Sequence, residues 1–395
     1  MPNKKFLSII GSVGIYLLVT GISFAAFTFA SKSSGGVASP LSSSSTNQPE
    51  NANRKALAEV SGAKTAVCPL NGAKYSATEE KLWQSRRPLV VMIENHQEAR
   101  PQSGLSDADV IYEAIAEGGI TRFAAVFYCR AAAYESIVGP VRSARTYFVD
   151  WASEYNLPLY AHVGGANTSG PADALGQLET YGWAGANDLN QFSIGYPTFW
   201  RDYERLGHTV ATEHTMYSTT AKLWDIGAKR GFTNLDPKKV EWSTGFTPWK
   251  FAKDETAPDK RADSETVSYP FWQDPDYAVS WQYDKASNLY QRSNGGQAHK
   301  DLNTNEQLTT KNLVVQFAVE KNANDGYPGN VHLLYTTTGQ GKALIFKDGQ
   351  AIAGTWAKAK RTARTIFSDD KGKEIVFEPG KIWISVLPVG TKVVY

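Results

Sequence analysis

Two arginines three residues apart are the first groups in this sequence whose types and spacing could do chemistry. The segment "GPVRSART", residues 139–146, places Arg142 and Arg145 after a Gly-Pro break and before an apolar, aromatic run. Helix positions three apart share a face, so both guanidinium groups could bind one anion beside the N–H groups of a helix start. Alternatively they form ion pairs inside the fold. The candidate acceptors are Glu113, Glu117 and Asp150.

Histidines near carboxylates form the second candidate group. His96 and His162 could act in general acid–base catalysis with a neighbouring carboxylate. The candidate carboxylates are Glu94, Glu113 and Glu117. No spacing matches the metal-binding H-E-x-x-H pattern, and His208 and His214 are six residues apart, which does not suit one helical face. We therefore predict no metal site, and hydrogen bonding within the fold remains the alternative role of each histidine.

Polar residues also gather where the predicted strands end. In open α/β sheets, ligands bind outside the carboxyl ends of the strands. This rule places Asn95, His96, Gly164 and Gly165 near a ligand site, and we predict that the paired arginines belong to the same site. Its predicted residues are Asn95, His96, Arg100, Arg122, Arg142, Ser143, Arg145, His162, Gly164 and Gly165.

Known cofactor and nucleophile motifs are missing from these segments. The stretch "YAHVGGANTSGP", residues 160–171, matches neither G-x-G-x-x-G nor a P-loop, and Ser143 lacks the G-x-S-x-G elbow. We expect no cofactor. The aromatic-rich residues 177–208 could stack on sugars or peptides, or they could cover the edge of the core.

Alternating strand-like and helix-like segments should position these groups. The apolar runs at 88–95, 120–129 and 158–165 predict buried strands. Helices are predicted between and after them, at residues 106–117, 143–156 and 170–182. Strands separated by helices indicate an α/β domain in which helices cover a layered sheet.

The C-terminal part has a different pattern. Residues 279–296 alternate apolar and polar side chains and close on a glycine pair, and further strand-like runs follow to the end of the chain. "KDGQ" and "DKGK" are hairpin signals. We predict a mostly antiparallel β domain here, which makes the chain α+β overall.

The first residues indicate a membrane anchor. Phe6 to Ala30 carry no charge and, as a helix, would be about 37 Å long, enough to cross a bilayer. Lys4 and Lys5 place the N-terminus in the cytoplasm and the remainder outside. A cleaved signal peptide is the alternative. The following Ser-, Gly- and Asn-rich residues predict a disordered stalk.

Composition and cysteine count limit the function further. The 395 residues have a formal net charge of +2, which argues against nucleic-acid binding. An extracytoplasmic location permits a disulfide between Cys68 and Cys129, and two free thiols are the alternative.

Long stretches of the chain resemble the YerB-like lipoproteins of the bacterial envelope. These stretches are residues 86–128, 139–156, 299–317 and 348–388. The resemblance implies an envelope location and paired N- and C-terminal domains of unknown function. The chain departs from a lipoprotein in one respect, because no Cys stands directly after its apolar segment.

Together these observations predict five parts and one function. The parts are the anchor at 1–30, the stalk at 31–66, an α/β domain at 67–236, a linker at 237–264 and a β-rich domain at 265–395. We expect a binding or scaffold module for an anionic or glycan ligand, with the membrane, cell-wall polymer or envelope proteins as partners. The alternative is a cell-wall hydrolase or transferase that uses the His and Glu residues named above.

Overall fold

The computed structural model describes residues 54–263, 265–327 and 331–395. Its helices are short. They are α1 (Ala77–Gln84), α2 (Thr146–Ala152), α3 (Ala174–Thr180), α4 (Gln191–Ile194) and α5 (Thr220–Lys229). The described chain is strand-rich, so the predicted layered sheet is present but its helical cover is smaller than an α/β domain would have.

Strands run through both halves of the described chain. The first twelve are β1 (Arg54–Ala56), β2 (Lys64–Val67), β3 (Lys74–Ser76), β4 (Leu89–Glu94), β5 (Val110–Glu117), β6 (Ile120–Phe127), β7 (Tyr134–Val138), β8 (Leu159–His162), β9 (Asp188–Asn190), β10 (Trp200–Arg201), β11 (Met216–Thr219) and β12 (Lys250–Phe251). The others are β13 (Thr266–Tyr269), β14 (Val279–Asp284), β15 (Leu289–Asn294), β16 (Gln297–Ala298), β17 (Thr309–Thr310), β18 (Asn312–Ala318), β19 (Glu320–Asn322), β20 (Leu333–Tyr335), β21 (Gly339–Lys347), β22 (Gln350–Lys358), β23 (Ile366–Asp369), β24 (Val376–Phe377) and β25 (Ile382–Pro388).

A ten-stranded sheet forms the centre of the protein. Its strand order is β23-β22-β21-β18-β25-β5-β6-β4-β8-β9. The pairs β18–β25, β25–β5, β4–β8 and β8–β9 are parallel, and the other neighbours are antiparallel. Every residue of β4 is buried, and β5, β6 and β25 are buried over most of their length. Such continuous apolar runs are typical of strands covered on both faces.

The helix predicted at residues 106–117 is wrong, because β5 occupies most of this segment. Residues 110–117 pair with β6 in an antiparallel hairpin. Gly118 and Gly119 have φ values of 59° and 80°, so the glycine pair forms the hairpin turn and not a helix end. The aromatic and β-branched side chains of β5 fill a buried sheet position, which outweighs the cap-like aspartates before it.

Other predicted elements are confirmed. Strands β4, β6 and β8 lie inside the three predicted apolar runs, and α2 and α3 lie inside the predicted helices. In the C-terminal half, "KDGQ" joins β21 to β22, with Asp348 at φ 56° and Gly349 at φ 68°. Two consecutive positive φ angles define the type I′ turn that the Asp-Gly pair predicts.

The two halves of the chain share the central sheet. Strand β25, from the C-terminal half, pairs in parallel with β5, from the N-terminal half. Within the predicted linker, Trp242 and Trp249 are buried, and Trp249 Nε1 donates to the Thr365 carbonyl at 2.8 Å. The described residues all belong to one compact unit.

The end of the predicted stalk packs on this unit. β1 pairs with β7, and the Arg54 guanidinium lies 2.9 Å from Asp107 and 3.7 Å from the Tyr134 ring centroid. The folded part therefore begins before residue 67, because a short strand and an ion pair fix residues that composition assigns to the stalk. The predicted anchor and residues 31–53 lie outside the described residues. Among the described helices, none has the length and hydropathy of a membrane span.

Cys68 and Cys129 form a disulfide bond, with Cα atoms 6.0 Å apart. Both cysteines are fully buried. The Asp109 carboxylate beside them accepts hydrogen bonds from the backbone N–H groups of Tyr128 and Cys129, at 2.7 and 2.9 Å. Of the two alternatives for the thiols, the structure shows the pairing.

Candidate functional site

The chain segment after the Gly-Pro break runs along the carboxyl ends of β4 and β8. Arg142 N–H donates to the Met92 carbonyl at 2.8 Å, and Val163 N–H donates to the Arg142 carbonyl at 3.1 Å. Ala144 N–H donates to the Gly164 carbonyl at 3.0 Å. These backbone bonds bring Arg142, the end of β4 and the loop after β8 to one edge of the sheet.

A buried carboxylate organises this edge. Glu94 is the last residue of β4, and its two oxygens bind different partners: Oε1 accepts from Arg142 Nε at 3.1 Å, and Oε2 accepts from His214 Nδ1 at 2.8 Å. His96 stacks on His214 with ring centroids 4.6 Å apart. His214 Nε2 lies 3.6 Å from Glu98 Oε2. We call this group the Glu94 cluster: Glu94, His96, Glu98, Arg142 and His214.

The cluster shifts the pKa values of its two histidines in opposite directions. Burial lowers the pKa of His214, but the hydrogen bond and charge of Glu94 outweigh it and hold that pKa above 6.5. Partial burial and the neighbouring His214 charge lower the pKa of His96 below 6.5. Burial raises the pKa of Glu94, yet its bonds to His214 and Arg142 hold it below 4.5. The charge of Glu94 thus favours the protonated form of His214, and burial favours the neutral form of His96.

The hydrogen bonds also assign the ring protons. Glu98 N–H donates to His96 Nδ1 at 3.2 Å, so the neutral His96 ring carries its proton on Nε2. His214 donates from Nδ1 to Glu94, and when protonated it also carries a proton on Nε2. His96 thus offers an Nε2–H donor, and His214 offers one in its protonated form.

A metal ion could draw on His96, Glu98 and His214, whose ligand atoms lie within 4.8 Å of one another. The two rings, however, are stacked with an interplanar angle of 14°. Because a metal lies in the plane of each imidazole that binds it, one ring would have to turn out of the stack. The arrangement suits hydrogen-bond donation better than metal coordination.

Arg145 has a different role from Arg142. The Glu117 carboxylate forms ion pairs with both Arg145 Nε and Arg122 Nη2, the latter at 2.9 Å. Burial raises the pKa of Glu117, but the charges of Arg122 and Arg145 lower it to about 2. The Arg145 side chain is 8% exposed. Arg145 and Arg122 therefore brace a buried carboxylate, as the ion-pair alternative predicts.

Arg142 is more open, with a side chain that is 26% exposed. It binds Glu94 through Nε alone, and its two Nη atoms bind no acceptor within the described part of the chain. Ser143 contributes its carbonyl to Arg122 Nη1 at 3.3 Å, and no described residue bonds its hydroxyl. The two arginines do not share a carboxylate of the protein, because Arg142 pairs with Glu94 and Arg145 pairs with Glu117.

Glu113 and Asn95 belong to a buried network, and Arg100 joins it from the wall of a neighbouring cleft. Glu113 accepts from Arg292 Nη2 at 2.8 Å and from Trp383 Nε1 at 3.0 Å, and both members of the Glu113–Arg292 pair are fully buried. The remaining bonds join Asn95 to Thr121, Asn294, Arg100 and Gln102 at 2.7 to 3.1 Å.

His162 is fully buried at the end of β8. Its Nδ1 bonds the Gly164 carbonyl at 2.6 Å, and its Nε2 bonds Asp188 Oδ1 at 2.5 Å. Gly164 has φ 55°, and a Cβ there would lie 2.9 Å from the Phe192 ring. Gly165 is equally confined, since a Cβ would lie 2.9 Å from Leu175. The two glycines allow the loop to pack closely beside the Glu94 cluster. No ring atom of His162 is exposed.

Some residues of the aromatic-rich segment cover the core, and others remain exposed and could stack on a ligand. Trp183 and Phe199 are buried in the core, whereas Phe192, Tyr196 and Tyr203 are exposed. Phe192 covers Gly164, so part of this exposed aromatic surface adjoins the loop after β8.

Two members of the Glu94 cluster were missed from the sequence. His214 is 120 residues from Glu94, and it ends a short 3-10 helix, Thr212–His214, where helical spacing has no meaning. Glu98 is partly exposed in the turn after β4. The only sequence feature that could have pointed to Glu98 was its position two residues after His96. No sequence feature pointed to Asp188 as the partner of His162.

Comparison with known proteins identifies two adjoining family domains. Residues 74–233 match the N-terminal domain, and residues 267–384 the C-terminal domain, of a protein family of unknown function, DUF3048. Both the Glu94 cluster and the Glu117 ion pairs lie inside the first match.

A curated relative covers both domains. The chain is 31% identical over 327 residues to the "Putative lipoprotein YerB" of Bacillus subtilis strain 168, which covers 82% of this chain and 87% of the relative. The crystal structure of the YerB protein from Bacillus subtilis matches with a TM-score of 0.66 and 28% identity. That match covers 84% of this chain and all of the solved chain.

Proposed function

This chain belongs to the DUF3048 family of proteins of unknown function, and we propose that it binds an anionic group of a cell-envelope ligand at the Glu94 cluster. The observation that carries the proposal is Arg142. Glu94 holds its guanidinium through Nε, which leaves both Nη atoms for a carboxylate or phosphate. Such a bidentate contact is the geometry for which arginine is suited.

The two stacked histidines support the same role. His214 pairs with Glu94, and the His96 ring stacks on the His214 ring. The Nε2 atoms of both rings are therefore part of the Glu94 cluster, together with the Arg142 Nη atoms. The negative charge of Glu94 balances the positive charge of Arg142. The guanidinium group therefore has a partner inside the protein when no ligand is bound. The site can then accept one further negative charge at its open side.

The envelope location rests on two independent features. The uncharged residues 6–30 predict an anchor with the folded part outside, and the relative from Bacillus subtilis is named a lipoprotein. We propose that the binding site faces cell-wall polymer or another envelope protein, held near the membrane by the N-terminal segment.

Titration of the full chain in mild detergent tests the binding role. The probes are poly(glycerol phosphate) and polygalacturonate, with neutral dextran as the uncharged polymer. Arg142→Gln should weaken binding of the anionic probes by about tenfold, because a charge-assisted hydrogen bond contributes about 1.5 kcal/mol or more. The matched control is Lys342→Gln, which removes an exposed charge on β21.

Two results would contradict the proposal. One is binding of dextran as tight as that of the anionic polymers. The other is equal weakening by Arg142→Gln and Lys342→Gln, which would show general charge attraction. Binding through the site should also weaken as salt is added, since the contact is partly exposed.

A second candidate function is catalysis on wall polymers. It is favoured by the opposite pKa shifts of His96 and His214, because a neutral ring beside a protonated one supplies a base and an acid. In this case His214 would donate a proton from Nε2, and His96 would accept one at Nδ1 after the Glu98 N–H bond to that atom opens.

Release of soluble fragments from isolated cell wall tests this second candidate. Catalysis predicts a rate that rises and falls with pH, and a loss of about 100-fold in His96→Gln and in His214→Gln. If the unaltered chain releases no fragments between pH 5 and 8, binding is the function that remains.

A further inference from the structure

A second open region lies at the other end of the central strands. Two clefts of about 240 and 800 Å³ share Asn156, Thr244 and Thr362 in their linings, and we call them together the basic groove. Arg87, which lines the groove, stands two residues before β4. The groove therefore lies at the amino end of β4, about 20 Å along the strand from Glu94.

Cations outnumber carboxylates in the groove. The cations of its lining are Arg87, Lys358, Lys360, Arg361 and Arg364. The carboxylates are Glu154, Asp236 and Glu241. Glu154 is engaged internally, by Lys358 at 2.5 Å and Arg364 at 3.3 Å.

Lys360 and Arg361 are the cations most available to a ligand. Lys360 is exposed and has no ion-pair partner in the described ranges. Arg361 donates to the Ser153 hydroxyl at 2.7 Å and stacks on the Tyr181 ring at 3.7 Å, so its charge has no carboxylate partner there either. Asp236 and Asp150 offset part of the charge of Arg87 and Arg361, and Lys360 keeps the least compensated charge of the groove.

Two buried guanidinium nitrogens on the groove wall also lack acceptors. Arg87 Nη2 and Arg364 Nη2 bond no described residue, although both side chains are nearly inaccessible. An unpaired buried donor costs about 1–3 kcal/mol. A ligand oxygen that entered beside either arginine would satisfy such a donor.

The floor of the groove offers hydroxyl and amide groups on a constrained turn. Asn156 and Leu157 have φ values of 49° and 53°, which is rare for consecutive non-glycine residues. Arg87 Nη1 holds the Leu157 carbonyl at 2.8 Å, and Asn156 Nδ2 donates to the Trp242 and Thr244 carbonyls at 2.8 Å. Backbone held in this way is often found at binding sites.

We propose that the basic groove binds a segment of an acidic polysaccharide. Hydroxyl-rich sugars match the threonine, asparagine and glutamine side chains of the lining, and acidic substituents match Lys360 and Arg361. A volume of about 800 Å³ is in the range of ligand sites, about 300–1,000 Å³. The proposal is independent of the Glu94 cluster, because the two regions lie at opposite ends of β4.

Binding of defined oligomers to the full chain in mild detergent tests the groove. The probes are galacturonate oligomers for carboxylates, glycerol phosphate oligomers for phosphates, and dextran oligomers as the neutral series. The double variant K360Q/R361Q should weaken binding of at least one acidic series by about tenfold. The control K371Q/K373Q also removes two exposed charges, from the turn after β23.

The outcomes separate the groove from the Glu94 cluster. Loss in K360Q/R361Q, with near-normal binding in K371Q/K373Q, supports the groove, and the series that responds identifies the acidic substituent. Equal loss in both double variants, or dextran binding as tight as acidic binding, overturns the proposal. Loss of all binding in Arg142→Gln but none in K360Q/R361Q also overturns it, while leaving the Glu94 cluster as a site.

Discussion

At the residue scale, the two arginines of "GPVRSART" differ in what they contact. Arg145 is buried against Glu117, and Arg142 is partly open beside Glu94. The sequence places them three residues apart but cannot show which carboxylate each one meets. Their separate partners assign one arginine to the fold and the other to the proposed site.

This difference predicts unequal stability losses. Arg145→Gln should lower the free energy of unfolding by about 3 kcal/mol, because it removes one partner from a buried ion pair. Arg142→Gln should cost about 1 kcal/mol or less, as for a partly exposed pair. Urea unfolding followed by tryptophan fluorescence measures both. Equal losses would show that Arg142 is as structural as Arg145.

The Glu94–His214 pair predicts a specific pH dependence. His214, with its raised pKa, adds stability below about pH 6.5, which is lost as pH rises through that pKa. Glu94, with its lowered pKa, adds stability above about pH 4.5, which is lost as pH falls through its own pKa. The stability difference between the unaltered chain and Glu94→Gln should therefore be largest between about pH 4.5 and 6.5.

Histidine resonances in an NMR titration provide the direct measurement. In Glu94→Gln, the pKa of His214 should fall from its raised value, because the carboxylate charge is gone and burial remains. Glu98→Gln is the control and should change it less, since Glu98 is half exposed and 3.6 Å away. An unchanged His214 titration in Glu94→Gln would mean that the pair does not form in solution.

At the element scale, local patterns predicted the strands that carry the site but not all of their neighbours. Apolar runs identified β4, β6 and β8, and the carboxyl-end rule placed His96, Gly164 and Gly165 near the ends of β4 and β8. The segment at β5 was misread, because its cap-like aspartates and glycine pair suit a helix end as well as a hairpin. Only the pairing of β5 with β6 and β25 decides between them.

The β21–β22 turn allows a test of turn chemistry. Gly349 has φ 68°, and an added Cβ would lie 2.5 Å from the Tyr283 ring. Gly349→Ala should therefore destabilise the protein by about 2 kcal/mol or more, through both backbone strain and the contact with Tyr283. Thermal unfolding measures the loss.

Gly372 provides the matched control for this turn. It has φ 77°, but an added Cβ would meet no heavy atom within 4 Å. Gly372→Ala should cost about 1 kcal/mol from backbone strain alone. Similar losses in the two variants would show that Tyr283 does not pack on the turn as described.

At the scale of the whole molecule, the two family domains share one sheet. Strand β25 pairs in parallel with β5, so C-terminal side chains join the core of the N-terminal half. The buried tryptophans between the domains belong to the same core. Neither half can bury these surfaces alone, so the folded protein should behave as one cooperative unit.

Truncation tests this continuity. A chain that ends after residue 264 exposes one edge of β5 and should lack a cooperative thermal transition. Co-expression with residues 265–395 should restore folding by supplying β25. A sharp transition in the truncated chain alone would show that the N-terminal half is stable without the shared sheet.

The most direct test of the proposed function is a crystal structure of the chain with a glycerol phosphate or galacturonate oligomer. We expect ligand density within hydrogen-bond distance of the Arg142 Nη atoms, next to His96 and His214. Full occupancy elsewhere on the protein, with no density at Arg142, would contradict the assignment of the Glu94 cluster as a binding site.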